Sequence, residues 1–308
     1  MKFGRHMPTG SKPLQAVKIA RELGCETIQI FVNNPTAWRS PQMKPTPAGK
    51  VDLPTAFAQA AQESGLEPVV VHAPYLINLA SPDDDIFQKS VILLSQTAER
   101  AALFGARDVV FHIGSHRGAG VEAGIQRIAE GLKLVLPVLP EELMLLLEND
   151  VGAGYEVGNR FEHLAGILNA LPDAKEQLGV CLDTAHLWGA GYPMSTPAEI
   201  EQLLADFDRL IGVKRLKVIH LNDTATRLGG HRDVHARIGE GIIPQAGLRA
   251  LLTHENMQEV AVLLETPIKT VEEQKDSLDW AHDKAHLAQV KALAQREETI
   301  ARAEAPGL

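Results

Sequence analysis

At 308 residues, 45% of them apolar and 22% charged, the chain has the composition of an ordinary soluble globular protein, with no apolar stretch near the ~20 residues a bilayer-spanning helix needs. A formal charge of −9 argues against a surface coated in basic patches, although a locally positive cleft is compatible with it. Cys25 and Cys181, the two cysteines, make no disulfide framework and point to a reducing cytoplasm.

The N-terminal MKFGRHMPTG lacks the apolar core of a signal peptide, and KFGRH reads as a first strand. Ser11 can cap a following helix, with Pro13 near its first turn and Leu14, Val17 and Leu23 as its apolar stripe before Gly24. ETIQIFV at 26–32 is the second strand. Six short apolar runs follow: VVVH ending at His72, DVVFH at His112, LMLLLE at Glu148, VCLD at Asp183, LKVIH at His220 and VAVLLE at Glu265. Each suits a strand buried on both faces and is too short and β-branched for a helix. Helical patterns separate them, and Gly65, Gly105, Gly179 and Gly212 fall just before the next strand, where a helix end favours positive φ. Such alternation means βαβ units and a parallel sheet. Eight units predict a single-domain α/β fold over residues 1–308, a (β/α)₈ TIM barrel, with an open doubly wound sheet as runner-up. The tail reads as a charged amphipathic helix from about 272 to 304, fraying at Glu304-Ala305-Pro306.

The six runs end in His, Asp or Glu, with successive spacings of 40, 36, 35, 37 and 45 residues, about one βα unit each. A charge has no solvation inside a buried strand and must find a partner. All strand C-termini of a barrel open on one face, so six ligand-type side chains converge there. Asp183-Thr184-Ala185-His186 adds a second imidazole, and Asp233-Val234-His235 adds an Asp-x-His pair after strand seven. The set is His72, His112, Glu148, Asp183, His186, His220, Asp233, His235 and Glu265. Imidazoles and carboxylates without a thiolate suit zinc, or manganese or iron, rather than calcium or magnesium, and nine ligands accommodate two or three ions. His6 is a candidate to support the ligands. His116 reads as a loop donor, while His163, His254, His282 and His286 fall on predicted helix surfaces away from the pocket. Cys181 reads as packing, and Ser115 and Thr184 as nucleophiles only if no metal binds.

HAPYLINLASP, FHIGSH, the Glu-Asn at 148–149, CLDTAHLWGAGY, HLND, DVHARIGEG and LLET, in this order and spacing, resemble the endonuclease IV family of apurinic/apyrimidinic endonucleases, which shares the xylose-isomerase-like barrel. The resemblance runs from the first strand to about residue 270. It implies three zinc ions: one on His72 and His112 with Glu148 bridging, a second with Asp183, His220 and Glu265, and a third on His186, Asp233 and His235. It implies hydrolysis of the phosphodiester 5′ to an abasic site in double-stranded DNA, leaving a 3′-hydroxyl, with Glu265 and Glu148 catalytic and the DNA bent and its abasic nucleotide flipped out.

The family's DNA-contacting loops correspond to Tyr75 and Leu76 after strand three and to the Trp38–Arg39 region after strand two. There the chain reads Asn34-Pro35-Thr36-Ala37-Trp38 where the family presents Arg-Gln, so weaker grip or a different lesion preference is expected. Ala236 stands where the family often has His, and NDVGAG replaces NTAGQG after Glu148. Lys12, Arg39, Lys44, Arg117, Arg227, Arg232 and Arg237 are candidate phosphate contacts. The alternatives are a one- or two-metal sugar isomerase or epimerase on the same barrel, and a lesion-binding protein without turnover. A cytoplasmic monomer with no membrane or obligate protein partner is expected.

Overall fold

The computed structural model describes the chain except Ser11 and residues 41–50, 269, 272–273 and 296–308; for 269–277 it describes at most the backbone. Eight parallel strands close into a barrel: β1 (Lys2–His6), β2 (Thr27–Ile30), β3 (Val69–His72), β4 (Asp108–His112), β5 (Met144–Glu148), β6 (Leu178–Asp183), β7 (Leu216–His220) and β8 (Ala261–Leu264), with β8 pairing back onto β1. The helices on the outside are α1 (Pro13–Leu23), α2 (Leu53–Glu63), α3 (Asp84–Leu103), α4 (Val121–Val135), α5 (Phe161–Asn169), α7 (Pro197–Leu210) and α8 (Gln245–Thr253). The short α6 (Thr184–Ala190) sits on top of β6, and α9 (Trp280–Leu293) packs beside α1.

Side chains alternate across a strand with period two, and this places the ligands. The barrel interior is filled by Val70, Val110, Leu146, Cys181, Val218, Ala261 and Leu263. Two residues beyond an interior residue, on the same face, stand His72, His112, Glu148, Asp183, His220 and Glu265 in turn. Register completes the alignment: His112 lies opposite Glu148, and Asp183 opposite His220. The other face of each strand, for example Val109 and Phe111, packs beneath the helices in the larger apolar layer.

Gly65, Gly105 and Gly212 do take positive φ. Gly179 does not: it lies inside β6, where a Cβ would come 2.7 Å from Leu146 Cδ2 and 3.0 Å from the Arg215 carbonyl oxygen. Its missing side chain serves strand packing rather than a helix end. The C-terminal helix starts later than the predicted 272 and runs over Trp280–Leu293, while the predicted stretch 296–304 and its fraying end lie outside the described residues. Gln274–Leu278 instead pairs antiparallel with Thr270–Val271, and the Asp279 carboxylate accepts from the His282 amide and starts α9 at Trp280. Ser11, expected to cap α1, lies outside the described residues. Among the described residues no helix is long and apolar enough to cross a membrane.

Candidate metal centre

The nine expected ligand residues meet at the C-terminal mouth of the barrel. His72, His112 and Glu148 form one group whose ligand atoms lie within 4.8 Å of one another; Glu148, Asp183, His220 and Glu265 form a second; Asp183, His186 and His235 form a third. Glu148 is shared by the first two groups and Asp183 by the last two. Asp233 joins the third group through Oδ1, 3.4 Å from His186 Nε2 and 3.1 Å from His235 Nε2.

Backbone and side-chain hydrogen bonds fix which ring nitrogen faces the centre. His72 Nδ1 donates to the Ala73 carbonyl (2.7 Å), leaving Nε2 toward Glu148 Oε2 at 3.3 Å. His186 Nδ1 donates to the Asn149 carbonyl (2.9 Å), leaving Nε2 for the Asp233 side. His220 is turned the other way: Nε2 donates to Gln29 Oε1 (2.9 Å), so Nδ1 faces Glu148 Oε1 at 2.9 Å and Glu265 Oε2 at 3.2 Å. Outer partners of this kind set the tautomer and orientation of metal-binding imidazoles. Asp183 is held at both oxygens, Oδ1 accepting from the His186 amide at the start of α6 and Oδ2 from Asn222 Nδ2 (2.6 Å). The other side-chain end of Asn222, Oδ1, accepts from the Glu265 amide.

The charges respond to this crowding. Burial alone would raise the Glu148 carboxyl, but the imidazoles of His112 and His220 outweigh it and hold the group well below the usual carboxylate range. Glu265, slightly more exposed, is held down by His220 and His6 against the pull of burial. Burial disfavours a charged His235, yet Asp183 and Asp233 push it up to about 9. His186 rises well above its ordinary value by the same carboxylates. His6 and His112 move down, because burial dominates at both.

Among the buried side-chain atoms that lack a hydrogen-bond partner, three belong to this centre: Glu148 Oε2, His186 Nε2 and His235 Nε2. All three are ligand atoms aimed into the centre. Buried polar atoms are nearly always paired, so orphans on a donor set of imidazoles and carboxylates fit divalent cations as the missing partners.

Several residues to which the sequence assigned no role, some of them inside the motifs quoted above, turn out to organise the site. Gln29 is buried in β2; besides accepting from His220, its Nε2 lies 2.6 Å from Glu265 Oε1 and 2.9 Å from His6 Nδ1. A glutamine inside the apolar TIQI run was the available signal. Asn149, Asn222 and Asp223 act through backbone amides, and Asp223 accepts from Gly239, Gly241 and Ile243. Asp150, part of the divergent NDVGAG loop, is buried with Oδ2 3.9 Å from His112 Nδ1. His6, expected to support the ligands, does approach Glu265 Oε1, at 3.5 Å.

Other expectations need adjustment. His116 is a loop acceptor rather than a donor at Nδ1, which receives the amides of Gly118 and Gly120. His286 is not on a helix surface but buried, with Nε2 accepting from the Ile238 amide. Arg237 is 3% exposed and ion-paired with Asp283, so it is no phosphate contact. Lys12, Arg39, Arg117, Arg227 and Arg232 are exposed, and Lys44 lies outside the described residues.

A cavity of about 1010 Å³ opens beside the cluster, lined on the metal side by His72, His112, His186, Asp233, His235 and Glu265. Tyr75, 55% exposed, stands at its edge with its ring centroid 5.4 Å from Phe31, 5.6 Å from His72 and 5.9 Å from His112. Its amide donates to the Pro35 carbonyl, joining the loops after β2 and β3. Leu76 is half-buried beside it. Trp38 is half-buried and packs on the core, whereas Arg39 points outward; among the described residues neither lines the cavity.

Residues 17–289 match the family described as the xylose isomerase-like TIM barrel. A probable endonuclease 4 of Natranaerobius thermophilus is 41% identical over 298 residues, covering 97% of this chain and 99% of that protein. The crystal structure of endonuclease IV from Thermus thermophilus superposes with a TM-score of 0.78 at 33% identity, over 95% of this chain and 98% of that one. A D-tagatose 3-epimerase-like protein superposes with a TM-score of 0.68 at 18% identity, covering 96% and 98%, a likeness of fold alone. Near-full-length identity of this degree, on a barrel whose mouth gathers the residue set described above, shows that the chain belongs to the endonuclease 4 family of xylose isomerase-like TIM barrels.

Proposed function

We propose that the protein is a DNA repair endonuclease that hydrolyses the phosphodiester 5′ to abasic sites in duplex DNA, leaving a 3′-hydroxyl, and that it holds three zinc ions, with manganese or iron as substitutes. The observation that carries the reading is the set of orphaned ligand atoms, Glu148 Oε2, His186 Nε2 and His235 Nε2, within three groups that share Glu148 and Asp183. His72, His112 and Glu148 would hold the first ion, Glu148, Asp183, His220 and Glu265 the second, and His186, Asp233 and His235 the third, with Asp183 close enough to serve both of the latter. When bound, such ions polarise a phosphate oxygen and lower the pKa of water toward neutrality.

The chain's own part is orientation and charge. Glu265 is ionised at neutral pH, with Oε1 held by Gln29 and Oε2 beside His220, so it is ready to orient or deprotonate an incoming nucleophile. Glu148 is fully buried and ionised, and it joins two ligand groups as a rigid bridge. Tyr75 and Leu76 would meet the DNA at the lesion, where the phenol stays protonated because burial and Glu265 push it up to about 12. The loop after β2 presents Thr36, whose amide and hydroxyl are both spent on Asn34 Oδ1, and Ala37, so it supplies neither charge nor bulk to the gap. Phosphate contacts would then fall to Arg39, Arg117, Arg227, Arg232 and Lys12, in a cytoplasmic monomer.

The test is incision of a duplex carrying one abasic-site analogue by zinc-loaded protein, beside Glu265→Gln and a panel of ketose sugars. Incision 5′ to the lesion is expected, with a loss of at least about 100-fold in Glu265→Gln, the scale of a misplaced acid–base group. No incision, together with epimerisation of any sugar, would replace this reading with the isomerase alternative.

A further inference from the structure

The Asp233–His235 pair belongs to no barrel strand, and Asp233 is 54% exposed, yet both must sit within a few ångströms of His186 and Asp183. On the inner side the loop is fixed to the segment after β7: Asp223–Thr224 pairs with His235–Ala236, and Thr224 Oγ1 donates to the Val234 carbonyl. On the outer side it is fixed to α9. Arg237, two residues past His235, donates from Nη2 to Asp283 Oδ1 at 2.7 Å and from Nε to the Pro267 carbonyl at 3.1 Å. The next amide, Ile238, donates to His286 Nε2 of the same helix.

Asp283 Oδ1 also takes Arg5 Nη1 at 2.7 Å, and Arg5 Nη2 donates to the Thr266 carbonyl at 3.0 Å. One buried carboxylate thus joins three segments, each adjoining a residue of the centre: Arg5 precedes His6, Thr266 and Pro267 follow Glu265, and Arg237 follows His235. Two guanidiniums against one carboxylate leave a buried net charge of +1. Buried ion groups add little stability over apolar residues of the same volume, so stability does not account for this arrangement. Its geometry does: Asp283 Oδ1 takes both guanidiniums, and each guanidinium holds a loop carbonyl with a second nitrogen, so one oxygen sets the separation of three loops at once.

We propose that Asp283, through Arg237, is a positioning residue that sets the Asp233–His235 loop against His186 and Asp183, so that the docked C-terminal helix governs occupancy of the third metal position. The inference rests on the three-ion reading of the centre. Neither residue touches a ligand atom, so the first two positions are expected to bind as before.

The discriminating variant is Arg237→Met, which cuts the tie but leaves Arg5 and Asp283 paired, lowering the buried charge from +1 to 0. Zinc binding is measured on the full chain by competition with a chromogenic chelator, beside the circular dichroism and melting of the metal-free proteins. We expect a wild-type stoichiometry near three. In Arg237→Met one of the three ions should lose roughly 10–100-fold in affinity with the other two unchanged, and Arg237→Lys should recover part of the loss. Asp283→Asn, which also releases Arg5 and leaves both guanidiniums without a carboxylate, is read in parallel and should weaken that ion more than the other two, should Arg237→Met fold poorly. Retention of the third ion within twofold in either folded variant overturns the inference, as does an equal weakening of all three ions. A wild-type protein that binds fewer than three overturns the three-ion reading instead.

Discussion

Gln29 shows how much of this centre depends on side chains that bind no metal themselves. Its amide oxygen accepts from His220 Nε2, and its amide nitrogen reaches Glu265 Oε1, so one side chain fixes a tautomer and a carboxylate rotamer together. In Gln29→Leu, of similar volume, the His220 ring is free to turn and its buried Nε2–H loses its acceptor. That should destabilise the fold by about 1–3 kcal/mol and weaken metal binding by roughly 10–100-fold. Chemical denaturation and zinc competition measure the two separately; unchanged affinity in a folded variant would show that His220 is held by its ligand face alone. Asp183, itself one of the ligand set, is fixed at both ends, since Oδ1 caps α6 at the His186 amide while Oδ2 is held by Asn222 near His235.

Among the elements, α9 should dock in a way that responds to pH. His286 accepts a hydrogen bond from the Ile238 amide and must be neutral to do so. Burial and the nearby Arg237 and Arg5 push it down, to about 4, against the opposite pull of Asp283 and Glu240. A histidine with a depressed folded value contributes stability above its ordinary value of 6.5, and that contribution is lost progressively as pH falls from there to about 4. The wild type should therefore lose about 3 kcal/mol over this window beyond what carboxylate protonation removes elsewhere. His286→Gln, which keeps an acceptor without a titrating ring, should lack that component when urea unfolding is compared at pH 7 and pH 4. Matching slopes in the two proteins would mean that α9 does not depend on the neutral ring.

For the molecule as a whole, four carboxylates and five imidazoles packed into one barrel mouth make bound cations part of its stability. Ions that bind the folded chain at a hundred times their Kd contribute about 2.7 kcal/mol each, so chelation should lower the melting temperature by several degrees while leaving the far-ultraviolet dichroism intact. Equal melting with and without chelator, at confirmed metal content, would show that the ligand groups satisfy one another and are not stabilised by cations.

Strand runs, their ligand-type ends and the roughly 35-to-45-residue spacing were legible in the chain because buried parallel strands leave few ways to place His, Asp and Glu. Period-two alternation then puts each ligand on the same face as the interior residue before it, as Val110 does for His112 and Val218 for His220. Gly179 and Arg237 were misread because their neighbours are remote in sequence: the Leu146 side chain beside one, Asp283 against the other. Which imidazole nitrogen faces the centre was equally hidden, since Gln29 and His220 are 191 residues apart. The sequence by itself determined the barrel, its direction and the six strand-end ligands at its mouth, consequences of local periodicity and of the cost of burying unpaired charge, while His186 and the Asp233–His235 pair were legible only as motifs beside those strands. Tautomers, shared carboxylates and the clasp of α9 on the Asp-x-His loop were decided by tertiary structure alone, because each depends on contacts that exist only after the sheet has closed.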